Sequence, residues 1–296
     1  MTTAPFGRLL TAMVTPFGPD LEIDLNRAQE LAVDLVKRGN DGLVISGTTG
    51  ESPTLTKAEK SSLFTAVLEA LDGSAPVIAN VGNNNTADSV AFAKEAEQLG
   101  VDGLMAVVPY YNKPPQEGLY RHFKAIAEAV EIPVIVYNIP GRSVINMDTS
   151  TTLRLAHDVP NIVGVKEASG KLDQIADIAA GAPDGFVVYA GDDEITLPLM
   201  ALGGYGVIAT IGNVAPEGMR EIIDYMAAGE PVKALASHMK LQPLMKELFI
   251  TTNPIMVKAA LRVSGFDVGG VRLPLVDATD TQVASIERVM KAVGVL

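Results

Sequence analysis

Residues 134–167 read VIVYNIPGRSVINMDTSTTLRLAHDVPNIVGVKE, and the order of residue types along them is that of one βαβ unit. Val134 to Tyr137 and Ile162 to Val165 are continuous apolar runs rather than alternating ones, as parallel strands covered on both faces require. Between them lie a polar turn and a short helical candidate, Asp148 to Ala156. Further runs begin near Leu9, Leu43, Val77, Leu104, Phe186 and Val207. Eight runs result, and from Leu43 onward they recur about every 27 residues, enough for a strand, a crossover helix and two short loops.

The intervening segments carry helix signals. Asp24 to Lys37 places Leu25, Ala28, Leu31, Ala32 and Leu35 on one face, and Thr56 with Glu59 forms a capping box. Gly39, Gly73 and Gly100 stand where helices should stop, and Leu172 to Ala179 is a further short candidate. A doubly wound sheet shares this grammar, but no strand is followed by G-x-G-x-x-G, and Gly203, Gly204 and Gly206 precede a strand instead. The predicted fold is therefore α/β, a (β/α)8 TIM barrel over residues 1–229. A C-terminal helical region is expected over 230–296, punctuated by Pro231, Pro243, Pro254 and Pro274.

Composition narrows the function classes. The 296 residues include 35 acidic and 23 basic ones, a formal charge of −12, which disfavours nucleic acid and anionic membrane surfaces as partners. There is no cysteine, and the three histidines, His122, His157 and His238, are too dispersed for a metal motif. No metal and no cofactor are expected. The start, MTTAPFGRLLTAMVTPFG, lacks a basic start and a sustained apolar stretch, so cytoplasmic residence is the expectation. Ile195 to Glu217 is uncharged until its end, but Pro198, Gly203, Gly204, Gly206, Gly212 and Pro216 interrupt it; a helix, a turn and a buried strand fit better than a membrane span.

In a barrel the chemistry gathers at the C-terminal strand ends. After the second run comes Ser46-Gly47-Thr48-Thr49-Gly50-Glu51-Ser52; its hydroxyls and backbone N–H groups suit an anion, although a plain polar turn reads the same way. Tyr110, Tyr111 and Tyr137 end the fourth and fifth runs, as packing groups or as proton donors driven by another base. Lys166 ends the sixth. It is either a solvated strand end or, desolvated in the barrel mouth, a neutral amine able to attack a carbonyl. Arg142 is either an anchor for an acidic substrate or half of a structural ion pair. Asp192, Asp193 and Glu194 are expected to cap the helix that follows them rather than to bind a divalent cation.

Gly47-Thr48-Thr49-Gly50-Glu51-Ser52, Pro109-Tyr110-Tyr111, Tyr137-Asn138-Ile139-Pro140-Gly141-Arg142, Val165-Lys166-Glu167 and Gly191-Asp192-Asp193 together resemble the dihydrodipicolinate synthase family of pyruvate-dependent class I aldolases and lyases, over essentially the whole chain. The resemblance implies that Lys166 forms an imine with pyruvate, whose enamine condenses with L-aspartate 4-semialdehyde on the diaminopimelate route to lysine. It implies a proton relay of Tyr137, Thr48 and Tyr111, with Tyr111 contributed across a subunit interface. Thr49 would hold the pyruvate carboxylate, Gly191 and Ile208 would line that pocket through main-chain groups, and Arg142 would bind the semialdehyde carboxylate. The implied assembly is a homotetramer, a dimer of dimers.

Related N-acetylneuraminate lyases and keto-deoxy-sugar-acid aldolases share the lysine and tyrosine but generally lack the arginine. A catalytically silent keto-acid-binding barrel would be expected to break the set Lys166, Tyr137, Thr48 and Tyr111, which is complete here. Two positions depart from the resemblance. Val144 stands beside Arg142 where glycine is commoner. In the lysine-binding positions, matching Ser52, Pro53, Lys57, Lys60, Asn84, Asp88 and Tyr110, the two lysines bring fixed cations toward an incoming ammonium, so weak or absent lysine feedback is expected.

Overall fold

Each of the eight apolar runs becomes a strand in the computed structural model, which describes residues 4–296. They are β1 (Leu9–Ala12), β2 (Gly42–Ile45), β3 (Val77–Asn80), β4 (Gly103–Val107), β5 (Val134–Asn138), β6 (Ile162–Glu167), β7 (Val187–Ala190) and β8 (Gly206–Ala209). They form a closed barrel in chain order. The continuous apolar reading has its reason in burial: every residue of β1, β2, β3, β5, β7 and β8 is buried. The helices are α1 (Leu25–Lys37), α2 (Lys57–Leu71), α3 (Thr86–Gln98), α4 (Gln116–Ala127), α5 (Pro140–Ser143), α6 (Thr149–Asp158), α7 (Leu172–Gly181), α8 (Thr196–Ala201), α9 (Pro216–Ala227), α10 (Pro231–Glu247), α11 (Ile255–Val263) and α12 (Asp280–Val293).

The chain divides into two compact units. The first joins the segment up to Arg8 with Pro76–Ile208, and the second joins Leu9–Ala75 with Ala209–Leu296. In the first, parallel ladders run from β3 through β8. The register pairs Tyr137 with Lys166, and Lys166 with Tyr189. Directly paired residues point to the same face of a sheet, so the register carries Tyr137 and Lys166 to one face. Close packing at β6 depends on Gly164, where a Cβ would lie 2.7 Å from the carbonyl oxygen of Val187.

In the second unit β1 pairs with β2, α1 packs on α2, and α10 packs on α9 and α12. Helix α1 starts where Asp24 accepts the Arg27 N–H at 2.9 Å, a cap worth about 1 kcal/mol. Its buried face is Ala28, Leu31, Ala32 and Leu35, and each of these leucines contributes roughly 1.5–3 kcal/mol by leaving water. Both halves of the Thr56–Glu59 capping box form at α2. Gly39, Gly73 and Gly100 take φ of 105°, 75° and 90° where helices end, a conformation that glycine adopts without a Cβ clash.

One sequence expectation is corrected here. Pro243 does not interrupt the C-terminal region; it lies inside α10. An interior proline forfeits one backbone hydrogen bond, but buried Leu241, Leu244 and Met245 hold this stretch helical. Ile195 to Glu217 resolves into α8, β8, short connections and the first two residues of α9. Among the described residues no helix is long and apolar enough to cross a membrane.

Candidate active site

Lys166 and Tyr137 meet in the first unit. Lys166 is 5% exposed, and its Nζ lies 4.5 Å from the centroid of the Tyr137 ring. Burial pushes the ammonium down to about 8; the nearby carboxylates of Asp192 and Asp193 oppose the shift, and the Arg142 guanidinium adds to it. Such a lysine holds a usable fraction of neutral amine near neutral pH, which attack on a carbonyl requires. The solvated-end alternative for Lys166 is thereby removed.

The surroundings of this pair are tied down from the opposite face of β6. Glu167, buried, accepts from Asn138 Nδ2 at 3.1 and 3.0 Å, from Gln174 Nε2 at 3.0 Å and from the Ser169 N–H at 2.8 Å. Asn138 Nδ2 also donates to Asn146 Oδ1 at 2.9 Å, and Asn138 Oδ1 accepts the Met147 N–H at 2.9 Å. This network fixes the β5–α6 connection that carries Arg142. Arg142 itself is exposed and makes no ion pair with any described residue.

Asp192 corrects another expectation. Its side chain makes no capping hydrogen bond to the 3₁₀ turn Asp193–Ile195; its charge acts instead on Lys166, and burial raises its own pKa against that attraction. A buried cation is a stronger partner for a carboxylate than the end of a single short turn. Among the described residues no group of three or more acidic or histidine side chains could hold a metal ion.

Val144 sits at the C-cap of α5 with φ 71° and is 66% exposed, which gives a physical reason for the glycine expected there: a β-branched residue is poorly suited to left-handed backbone. Tyr111 has φ 74° and is 88% exposed. Within one chain it does not join Lys166 and Tyr137. Gly191 follows β7, donates its N–H to the Glu167 carbonyl at 2.8 Å and leaves no room for a Cβ, which would meet that of Ala168 at 2.5 Å. Ile208 is fully buried in β8.

The hydroxyl loop belongs to the second unit. Thr48 is half-buried, and Thr49 is buried with its Oγ1 accepting from Asn253 Nδ2 at 2.8 Å and lying 3.4 Å from Thr210 Oγ1. Glu51, with φ 56°, anchors the end of the loop. It forms a 2.7 Å ion pair with fully buried Lys258 and accepts the Arg272 N–H at 2.9 Å. Lys258 Nζ and the Arg272 guanidinium lie 4.1 and 4.5 Å from the centroid of the Phe17 ring. Neither Asn253 nor this cluster is evident from the motif, because the partners lie some two hundred residues away and no local periodicity links them.

The model of the dihydrodipicolinate synthetase family matches residues 5–293. A 4-hydroxy-tetrahydrodipicolinate synthase of Symbiobacterium thermophilum is 56% identical over 98% of this chain and 99% of its own length. The synthase of Moorella thermoacetica is 55% identical over 98% and 99%. A crystal structure of DHDPS from Cyanidioschyzon merolae with lysine bound matches with a TM-score of 0.98 at 43% identity, over 99% of this chain and all of that one. The chain belongs to the dihydrodipicolinate synthetase family.

Proposed function

We propose that the chain is a 4-hydroxy-tetrahydrodipicolinate synthase that condenses pyruvate with L-aspartate 4-semialdehyde through an imine on Lys166. The observation that carries this reading is the buried Lys166 amine, lowered to about 8 and set 4.5 Å from the Tyr137 ring. The neutral amine adds to C2 of pyruvate, and the carbinolamine loses water to give an iminium. Loss of a C3 proton gives the enamine, whose C3 attacks the aldehyde carbon of the second substrate. The amino group of that substrate then adds to C2 and displaces Lys166, closing the hydroxylated ring. The imine is itself the electron sink, so the carbon–carbon bond forms without a separate cofactor.

Each step needs protons delivered and removed. We assign this to Tyr137 at the imine, with Thr48 and a partner's copy of Tyr111 completing the relay; the 4.5 Å between Lys166 Nζ and the Tyr137 ring supports the first member. The exposed, left-handed Tyr111 supports a role at a second copy of the chain, since strained backbone concentrates at functional positions. We accordingly assign a dimer that completes the site, paired into a tetramer. Thr49, with main-chain groups at Gly191 and Ile208, holds the pyruvate carboxylate. Arg142, exposed and without an ion pair among the described residues, receives the carboxylate of the semialdehyde; a planar bidentate fork suits that group. A coupled assay comparing aspartate semialdehyde with sugar-derived aldehydes tests the substrate. Turnover confined to the semialdehyde, and lost in Arg142→Ala, is expected; preference for a sugar-derived aldehyde would overturn the assignment.

A further inference from the structure

We propose that Asn253 is the positioning residue that turns the Thr49 hydroxyl toward pyruvate. The inference rests on the reading above, in which Thr49 holds the pyruvate carboxylate. Thr49 and Asn253 are only 2% and 6% exposed, and Asn253 Nδ2 donates to Thr49 Oγ1 at 2.8 Å. A threonine hydroxyl has one proton and two lone pairs. With a lone pair occupied by the amide, the proton is left to donate. The other hydroxyl in reach, Thr210 Oγ1, stands at 3.4 Å, too long to compete with a carboxylate.

Asn253 is not spent as an ordinary cross-link. Its Oδ1 is buried and has no hydrogen-bond partner among the described residues, so its side chain is used at the donor end, toward Thr49. The two segments are also braced close by. Glu51, two residues after Thr49, pairs at 2.7 Å with Lys258 in α11, and Lys258 Nζ donates to the Gly270 carbonyl at 2.7 Å. Asn253 thus approaches Thr49 from a fixed direction. A neutral amide is the side chain required there: a carboxylate of the same shape would accept the Thr49 proton and repel the substrate's own charge.

The test uses Asn253→Asp, Asn253→Ala, Thr49→Val and the double variant Thr49→Val/Asn253→Ala in steady-state assays, with thermal melting to establish folding. Asn253→Asp is expected to raise KM for pyruvate about tenfold or more, the loss of one hydrogen bond to a charged group, while KM for the semialdehyde stays within about twofold. Asn253→Ala is expected to raise pyruvate KM less, and to add nothing further in the Thr49→Val background. An unchanged pyruvate KM in Asn253→Asp would overturn the inference. So would an equal effect of Asn253→Ala in both backgrounds, which is the mark of a merely structural residue. If Asn253→Asp does not fold, the alanine pair decides by the same criterion. Borohydride trapping of pyruvate on the wild type separates the two levels: no adduct would overturn the reading and the inference together, whereas an adduct with an unmoved KM overturns the inference alone.

Discussion

Replacing Asp192 by asparagine should speed imine formation near neutral pH. With the Lys166 amine at about 8, roughly one molecule in eleven carries it neutral at pH 7, against about one in three thousand for an ordinary lysine. The fold therefore supplies on the order of 300 times more nucleophile. Burial is the main cause, and Asp192 and Asp193 work against it by stabilising the ammonium. Removing the Asp192 charge lowers the Lys166 pKa further. A fall of about one unit would bring the neutral fraction at pH 7 to about one half, roughly fivefold more. Arg142→Gln removes a cation and should act in the opposite direction. The assay is the rate of imine formation from pyruvate, quenched with borohydride, between pH 6 and 10. The wild-type rate should rise with pH and level off above about 8, with the inflection displaced downward in Asp192→Asn and upward in Arg142→Gln. An inflection near that of free lysine, or shifts of the opposite sign, would refute the desolvated-amine account.

Three further outcomes follow from other parts of the molecule. Val144→Gly should raise thermal stability, because it releases about 1–2 kcal/mol of left-handed strain against a glycine entropy cost of roughly 0.5–1 kcal/mol; a clear loss in melting temperature would contradict the strain at φ 71°. Tyr111→Phe should lose turnover while imine trapping stays detectable, and unaffected turnover would count against a shared relay. Submillimolar lysine should leave activity nearly intact, because Lys57 and Lys60 would repel its ammonium; strong inhibition would show that the two cations are accommodated.

The strands were legible because burial on both faces leaves an uninterrupted apolar record, and the helix boundaries because caps are local: Asp24 and Thr56 are read within four residues of the groups they satisfy. Lys166 and Tyr137 were legible for the same reason, each ending a recognisable run, and their pairing followed once register was known. Pro243 was misread because the apolar face holding α10 together is tertiary information. Asp192 was misread because the capping rule looks forward along the chain, whereas the buried cation acting on it lies on another strand. Asn253, Lys258 and Arg272 carry no local signal at all. Their partners Thr49 and Glu51 are defined by closure of a chain segment some two hundred residues away, and only the fold brings them together.

The most direct test of the central claim is borohydride reduction of the protein in the presence of pyruvate, followed by mass measurement of the intact chain and its peptides. The account predicts a single reduced pyruvyl adduct, located on Lys166 and absent from Lys166→Ala. No adduct, or an adduct on another lysine such as Lys258, would contradict it.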